Sequence, residues 1–263
     1  MEQKPTQRGV RPMVTKELLE NRWKAGLGAL IALLTATLAI YSFSWAAMLG
    51  PMTLDTPILS TPDRELLRQA LTNADIWTWV NWFGKNAGII LAALAAVLGG
   101  TTIAGEVSRG TILLLLSKPI SRDRVLLTKY ATAALILLGV SGLASAAIAV
   151  SGWLLGYPQP LGGLLVATVL VWLGSLSILG WALLFSTLAP DSLRAVAGAL
   201  VVAVLMGVPG LTPGGRPWNL AAYWASLPAY QGQAFPALEL ALCLIMAALP
   251  LVGALLLFRR RAF

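Results

Sequence analysis

The amino-acid sequence predicts an all-α membrane protein with six transmembrane helices, an N-terminal interfacial amphipathic helix and a broken outer segment before the last span. Three observations carry that prediction. Of the 263 residues 57% are hydrophobic, and the 25 glycines bring the apolar share to about two-thirds, against about half in soluble domains. Charged residues make up only 11%, under half of the usual share of about a quarter. Long apolar stretches recur six times along the chain. A water-soluble globular domain is thereby excluded, and so is a disordered chain, which needs low hydrophobicity and high charge. The whole of 1–263 reads as a single transmembrane domain.

The first element is the segment 12–24, where Met13, Leu18, Leu19 and Trp23 alternate with Lys16, Glu17, Glu20 and Arg22. This pattern reads as an amphipathic helix lying in the inner membrane interface, with a cytoplasmic extension of the first span as the alternative. The apolar stretches follow at 25–49, 86–105, 130–157, 161–189, 195–209 and 240–258. Crossing a hydrocarbon core about 30 Å thick takes about 20 residues of helix, which most of them supply. The first is too long for the roughly 7–15 residues of a signal-peptide core. The fifth is short and stops at Val208-Pro209-Gly210. None of the six stretches contains Asp, Glu, Lys or Arg.

Between the first two spans, the outer segment 50–85 holds a helix-start signal at Thr61-Pro62-Asp63, followed by a stripe of Leu67, Ala70, Leu71 and Ala74. Trp77, Trp79, Trp82 and Phe83 come next. They read as an aromatic belt at headgroup level, with a substrate-stacking vestibule as the alternative. The outer segment 210–236 is broken by Pro213, Gly214, Gly215, Pro217, Pro228 and Pro236. Its stretch 219–227 reads as a short helix dipping back toward the membrane, which requires protein or a water-filled cavity around it. In the second span Gly88, Ala92, Ala96, Gly100 and Ala104 recur every four residues. Small residues at that spacing share one helix face and let another backbone approach closely, within the subunit or across a dimer.

Orientation follows from the basic residues. Lys4, Arg8, Arg11, Lys16, Arg22 and Lys24 precede the first span, and Arg109, Lys118, Arg122, Arg124 and Lys129 follow the second. Arg194 follows the fourth, and Arg259, Arg260 and Arg261 close the chain. Only Arg64, Arg68, Lys85 and Arg216 fall on the other side. The positive-inside rule then assigns both termini to the cytoplasm, which an even number of spans allows. The net charge of +8 is thus an orientation signal, and nucleic acid is not an expected partner.

Most catalytic chemistries lack their residues here. There is no histidine and a single Cys243, so histidine bases, histidine metal sites, thiolate clusters and intrachain disulfides are ruled out. No Gly-x-x-x-x-Gly-Lys-Ser/Thr loop occurs. Proton-coupled transport loses support because the apolar stretches hold no ionisable relay. Glu239, three residues after Pro236, is favoured by the helix dipole without a catalytic role. No catalytic, cofactor or metal site is expected on this chain.

One stretch, 106–129, carries a distinctive pattern. Glu106-Val107-Ser108-Arg109-Gly110-Thr111 leads into Leu113 to Leu116, then Ser117-Lys118-Pro119-Ile120-Ser121-Arg122 and, later, Lys129. Gly110 permits a sharp helix exit, and Pro119 stops the leucine run before Ser121 starts the next helix. On physical grounds this is either an interfacial loop with snorkelling basic residues or a docking element. The pattern, its place between spans two and three and the six-span layout resemble the ABC-2 type transporter permeases.

That resemblance implies a permease subunit of an ATP-driven transporter in a bacterial plasma membrane. Two copies of a P-loop ATPase subunit, with ATP and magnesium on that partner, and a second permease copy or paralogue would complete it. The stretch 106–129 would be the cytoplasmic coupling loop, with Glu106, Gly110, Thr111, Ser117, Pro119, Ser121 and Arg122 as coupling residues. Glu106 and Arg122 would bridge it to the N-terminal helix or the partner. The family resembles exporters of antibiotics, lipids, polysaccharides and peptides; the lack of histidine and of clustered cysteine argues against carriage of a soft metal. Two other readings stand beside it: an ion-coupled secondary carrier or channel, and a membrane anchor for an ATPase that does not itself transport.

Overall fold

The computed structural model describes residues 10–49, 61–111, 121–212 and 215–261. Among these, six helices are long and apolar enough to cross a membrane. The first, α1 (Val10–Leu49), has 40 residues, about 60 Å at 1.5 Å per residue and twice the hydrocarbon thickness. The segment 12–24 is therefore not an interfacial helix of its own but the extension of the first span. Its one proline, Pro12, falls in the first turn of α1, where it is tolerated, and its Glu17 is buried, which an interfacial helix floating free of the bundle would not allow. Leu18, Leu19 and Trp23 remain exposed on it.

The second crossing also starts earlier than the apolar stretch. After α2 (Thr61–Thr72), Asn73 accepts hydrogen bonds from the amides of Asp75 and Ile76 and opens α3 (Ala74–Thr78). The helix continues as nine π-helical residues, Trp79–Ala87, and then as α4 (Gly88–Gly100). The wider π turn brings the Asn86 side-chain amide onto the carbonyl of Asn81, five residues back, at 2.6 Å. π segments of this kind concentrate at functional sites. Lys85 lies in this segment, exposed. The apolar stretches are free of charge, but the helices that contain them are not.

The remaining spans are α6 (Arg122–Leu154), α7 (Leu161–Leu188), α8 (Ser192–Gly207) and α10 (Ala237–Arg260). A short α5 (Ala104–Ser108) follows α4. Ser121 caps α6 and Asp191 caps α8, each accepting the amide three residues on. Residues 122–129 thus belong to the third span rather than to a loop. Helix α7 is the centre of the bundle, packing on α10, α4, α8 and α6. Close approach explains its small residues: a Cβ at Gly180 would lie 2.8 Å from Pro250 within α10, and one at Gly99 2.7 Å from Ala182. Leu30, Leu34 and Leu38 of α1, Val201 and Val204 of α8, and Leu249 and Val252 of α10 point outward, as a lipid-facing surface requires.

The segment after α8 forms 3-10 turns at Val208–Leu211, Arg216–Trp218 and Leu220–Trp224, then α9 (Leu227–Tyr230). An extended Ala225 separates the last two, so 219–227 is not one helix. It nevertheless inserts into the bundle, burying Trp224 and Tyr230. Tyr230 donates to Gln159 at 2.9 Å, and Gln159 donates to Asp75 at 3.0 Å. Trp82 and Phe83 are buried in the same core, so they do not form a belt. The exposed indoles at this end are Trp45, Trp153 and Trp218. We call this the aromatic end, and the opposite one, where α1 begins and α10 finishes, the basic end.

Candidate functional site

The site lies at the basic end and begins with a break in the second span. Thr101 and Thr102 turn their hydroxyls back onto the carbonyls of Val97 and Leu98 at 2.8 and 2.7 Å. Ser186 of α7, fully buried, accepts the amides of Ile103 and Ala104 and donates to the Gly100 carbonyl, all at 2.9 Å. One hydroxyl thus satisfies three backbone groups that the interruption would leave unpaired in the interior.

Helix α5 then closes in a Schellman motif. The Gly110 amide donates to the Val107 carbonyl and the Thr111 amide to the Glu106 carbonyl, both at 3.0 Å. Gly110 takes φ +71°, which glycine reaches without the steric penalty of a Cβ. The same turn swings the Thr111 hydroxyl onto the Glu106 carboxylate. The Glu-x-x-x-Gly-Thr spacing therefore has a local meaning: glutamate, left-handed glycine and threonine occupy fixed places in one helix-terminating turn.

Glu106 is only 3% exposed, Lys129 of α6 4% and Glu17 of α1 5%. The Lys129 ammonium lies 2.5 Å from Glu17 and 3.6 Å from Glu106, while Lys16 lies 3.7 Å from Glu106 and 3.4 Å from Glu20. Burial alone would raise the Glu106 pKa. The Thr111 hydrogen bond and the charges of Lys129, Lys16 and Arg109 outweigh it and hold the carboxyl below its usual range, so it is ionised at neutral pH. The Glu17, Glu20 and Glu106 carboxylates approach within 4.8 Å of one another, the sort of cluster that can hold a cation. Two ammonium groups already supply the positive charge.

Of the residues singled out from the sequence, Glu106, Gly110 and Thr111 come together in this turn, and Ser121 caps α6. Arg122 is elsewhere: it donates to the carbonyls of Phe258 and Arg261, tying α6 to the end of α10. Glu106 bridges to the N-terminal segment through Lys16. Beside it Arg259 grips Asp123 through two bonds of 2.8 and 2.6 Å. Ser117 and Pro119 lie outside the described residues. In the small-residue stripe Ala92, Ala96 and Gly100 are buried. A Cβ at Gly88 would lie 3.3 Å from Trp224, and one at Gly100 2.6 Å from Val196 of α8, both within the subunit. Sequence reading passed over Glu17 and Ser186; a carboxylate facing inward just before an apolar run was the available signal for the first, and a serine in a span offers none.

A family model described as ABC-2 family transporter protein matches residues 15–222, most of the chain and all of the ion network. The chain belongs to the ABC-2 transporter family. No curated protein matches it. As an ABC-2 family member it is a multi-pass membrane permease subunit, in a family whose membrane subunits are generally non-catalytic and whose transporters have an ATPase partner.

Proposed function

We propose that this ABC-2 permease is the membrane subunit of an exporter in a bacterial plasma membrane, with the basic end in the cytoplasm. Two ATPase subunits dock against residues 109–121, and a second permease copy or a paralogue completes the assembly. ATP and magnesium belong to the ATPase partner. The observation that carries this reading is the turn at Glu106, Gly110 and Thr111. It opens the docking segment and is joined by ion pairs to Lys16 of α1 and Lys129 of α6, the second of them buried, so a push on the segment bears on two spans at once. The sequence pattern, which puts 15 of the 19 basic residues in segments on the same side of the spans, supports the orientation.

The test is a mild-detergent pull-down from the native host with mass spectrometry of stoichiometric partners. A P-loop ATPase should co-purify, and replacing 109–121 by a glycine-serine linker of equal length should release it while leaving the permease in the membrane. A chain that purifies alone from cells expressing such an ATPase, or one that keeps the ATPase after the replacement, contradicts the reading.

A further inference from the structure

A cavity of about 350 Å³ opens beside the ion network, between α1, the break after α4, α5 and the start of α8. Its charges divide into two sets. On one side the three carboxylates of Glu17, Glu20 and Glu106 face two ammonium groups, Lys129 and Lys16. On the other, Lys24 and Arg109 make no ion pair within 4 Å among the described residues. Lys24, half-buried, donates to the Thr101 hydroxyl at 2.7 Å and to Asn21 at 2.9 Å, both neutral partners. Arg109 uses its Nε on the Gly105 carbonyl at 2.9 Å. Over the bare Cα of Gly105, the Ser192 hydroxyl and a terminal Arg109 nitrogen converge: a Cβ there would lie 3.5 and 3.6 Å from them. The two cations are near enough for their like charges to act on each other. Two cations lining one cavity, with the Ser192 hydroxyl near Arg109, constitute the environment in which a phosphate oxygen is stabilised by charge-assisted hydrogen bonds.

We infer that this cavity binds a phosphate group, held by Lys24 and Arg109 with the hydroxyl of Ser192, while Thr101, whose own proton goes to the Val97 carbonyl, positions the Lys24 ammonium. Counted together, Lys16, Lys24, Arg109 and Lys129 exceed the three carboxylates by one positive charge, which an anionic group in the cavity would balance. Lys24 stands just before the apolar stretch 25–49 and Thr101 just after α4, at headgroup depth. The phosphate group can therefore belong either to a phospholipid or to a soluble molecule. The inference does not rest on ATPase coupling, since binding to the membrane subunit alone is what it requires.

The test titrates three probes separately into the full-length chain in neutral detergent: inorganic phosphate, short-chain phosphatidic acid and short-chain phosphatidylcholine. Isothermal titration calorimetry reads binding, and hydrogen exchange reads protection of the segments around Lys24 and Arg109. Saturable binding of phosphate is expected if the group is soluble in origin, and binding of phosphatidic acid but of neither other probe if it is a lipid headgroup. In either case Lys24→Gln and Arg109→Gln should each weaken binding by about tenfold or more. Arg109 is exposed, so its variant folds even if the Lys24 variant does not, and protection in the wild-type chain is an independent reading. Absence of saturable binding by phosphate and phosphatidic acid, equal binding of phosphatidylcholine, or unchanged affinity in the variants would overturn the proposal.

Discussion

Lys129 is the residue on which the basic end depends. Its ammonium is the shared counter-charge of two buried carboxylates from different parts of the chain, Glu17 and Glu106. Removing it strips Glu17 of its ion-pair partner among the described residues and leaves Glu106 to the more exposed Lys16 and Arg109, and breaking a buried pair from one side costs about 3–5 kcal/mol. Lys129→Met should therefore lower the thermal unfolding midpoint in detergent more than Glu17→Gln does. Combining the two should recover part of the loss, because the double variant leaves fewer unpaired charges. A double variant no better than Lys129→Met alone would show that Lys129 acts through something other than this network. The sequence made Glu106, Gly110 and Thr111 legible because their relation is local, three positions of one helix-ending turn. It could not pair Lys129 with Glu17, 112 positions away, since one sequence carries no sign of which distant charges meet.

At the scale of the element, the number of spans was readable because hydrophobicity is a property of each stretch by itself. Their boundaries were not, because helices continue through charged residues wherever those residues find partners: α1 runs back through Glu17, and α6 through Lys129. The π turns of Trp79–Ala87 also left no mark on the apolar pattern. Contact between elements has its sharpest expression in two adjacent glycines at the start of α7. A Cβ on Gly163 would fall 1.8 Å from the Tyr230 carbonyl oxygen, whereas nothing lies within 4 Å of one on Gly162. Gly163→Ala should force α9 off the bundle and destabilise the protein by about 1–3 kcal/mol or more. Gly162→Ala should leave stability unchanged or raise it slightly. Thermal unfolding of the two variants checks this, and similar midpoints would mean that α9 does not seat on α7 as described.

The whole molecule is polarised. Its aromatic end is closed by neutral packing and by the chain of hydrogen bonds from Tyr230 through Gln159 to Asp75. Its basic end is held by charge: Glu17, Lys129 and Glu106 join α1, α5 and α6, and Arg122 and Arg259 join α6 to α10. In the proposed orientation the ATPase meets the end where ion pairs reinforce a small apolar cluster of Ile103, Leu126, Leu183, Ala254 and Phe258. Coupling should then pass through Glu106, whose loss detaches the docking turn from Lys16 and Lys129 while leaving the Glu17–Lys129 pair. The most direct measurement is ATP hydrolysis by the permease–ATPase complex in nanodiscs, relative to the free ATPase, for wild type and Glu106→Gln. The account predicts a Glu106→Gln complex that assembles with the same stoichiometry but loses the permease-dependent change in hydrolysis. A variant that assembles and shows the wild-type change would contradict it.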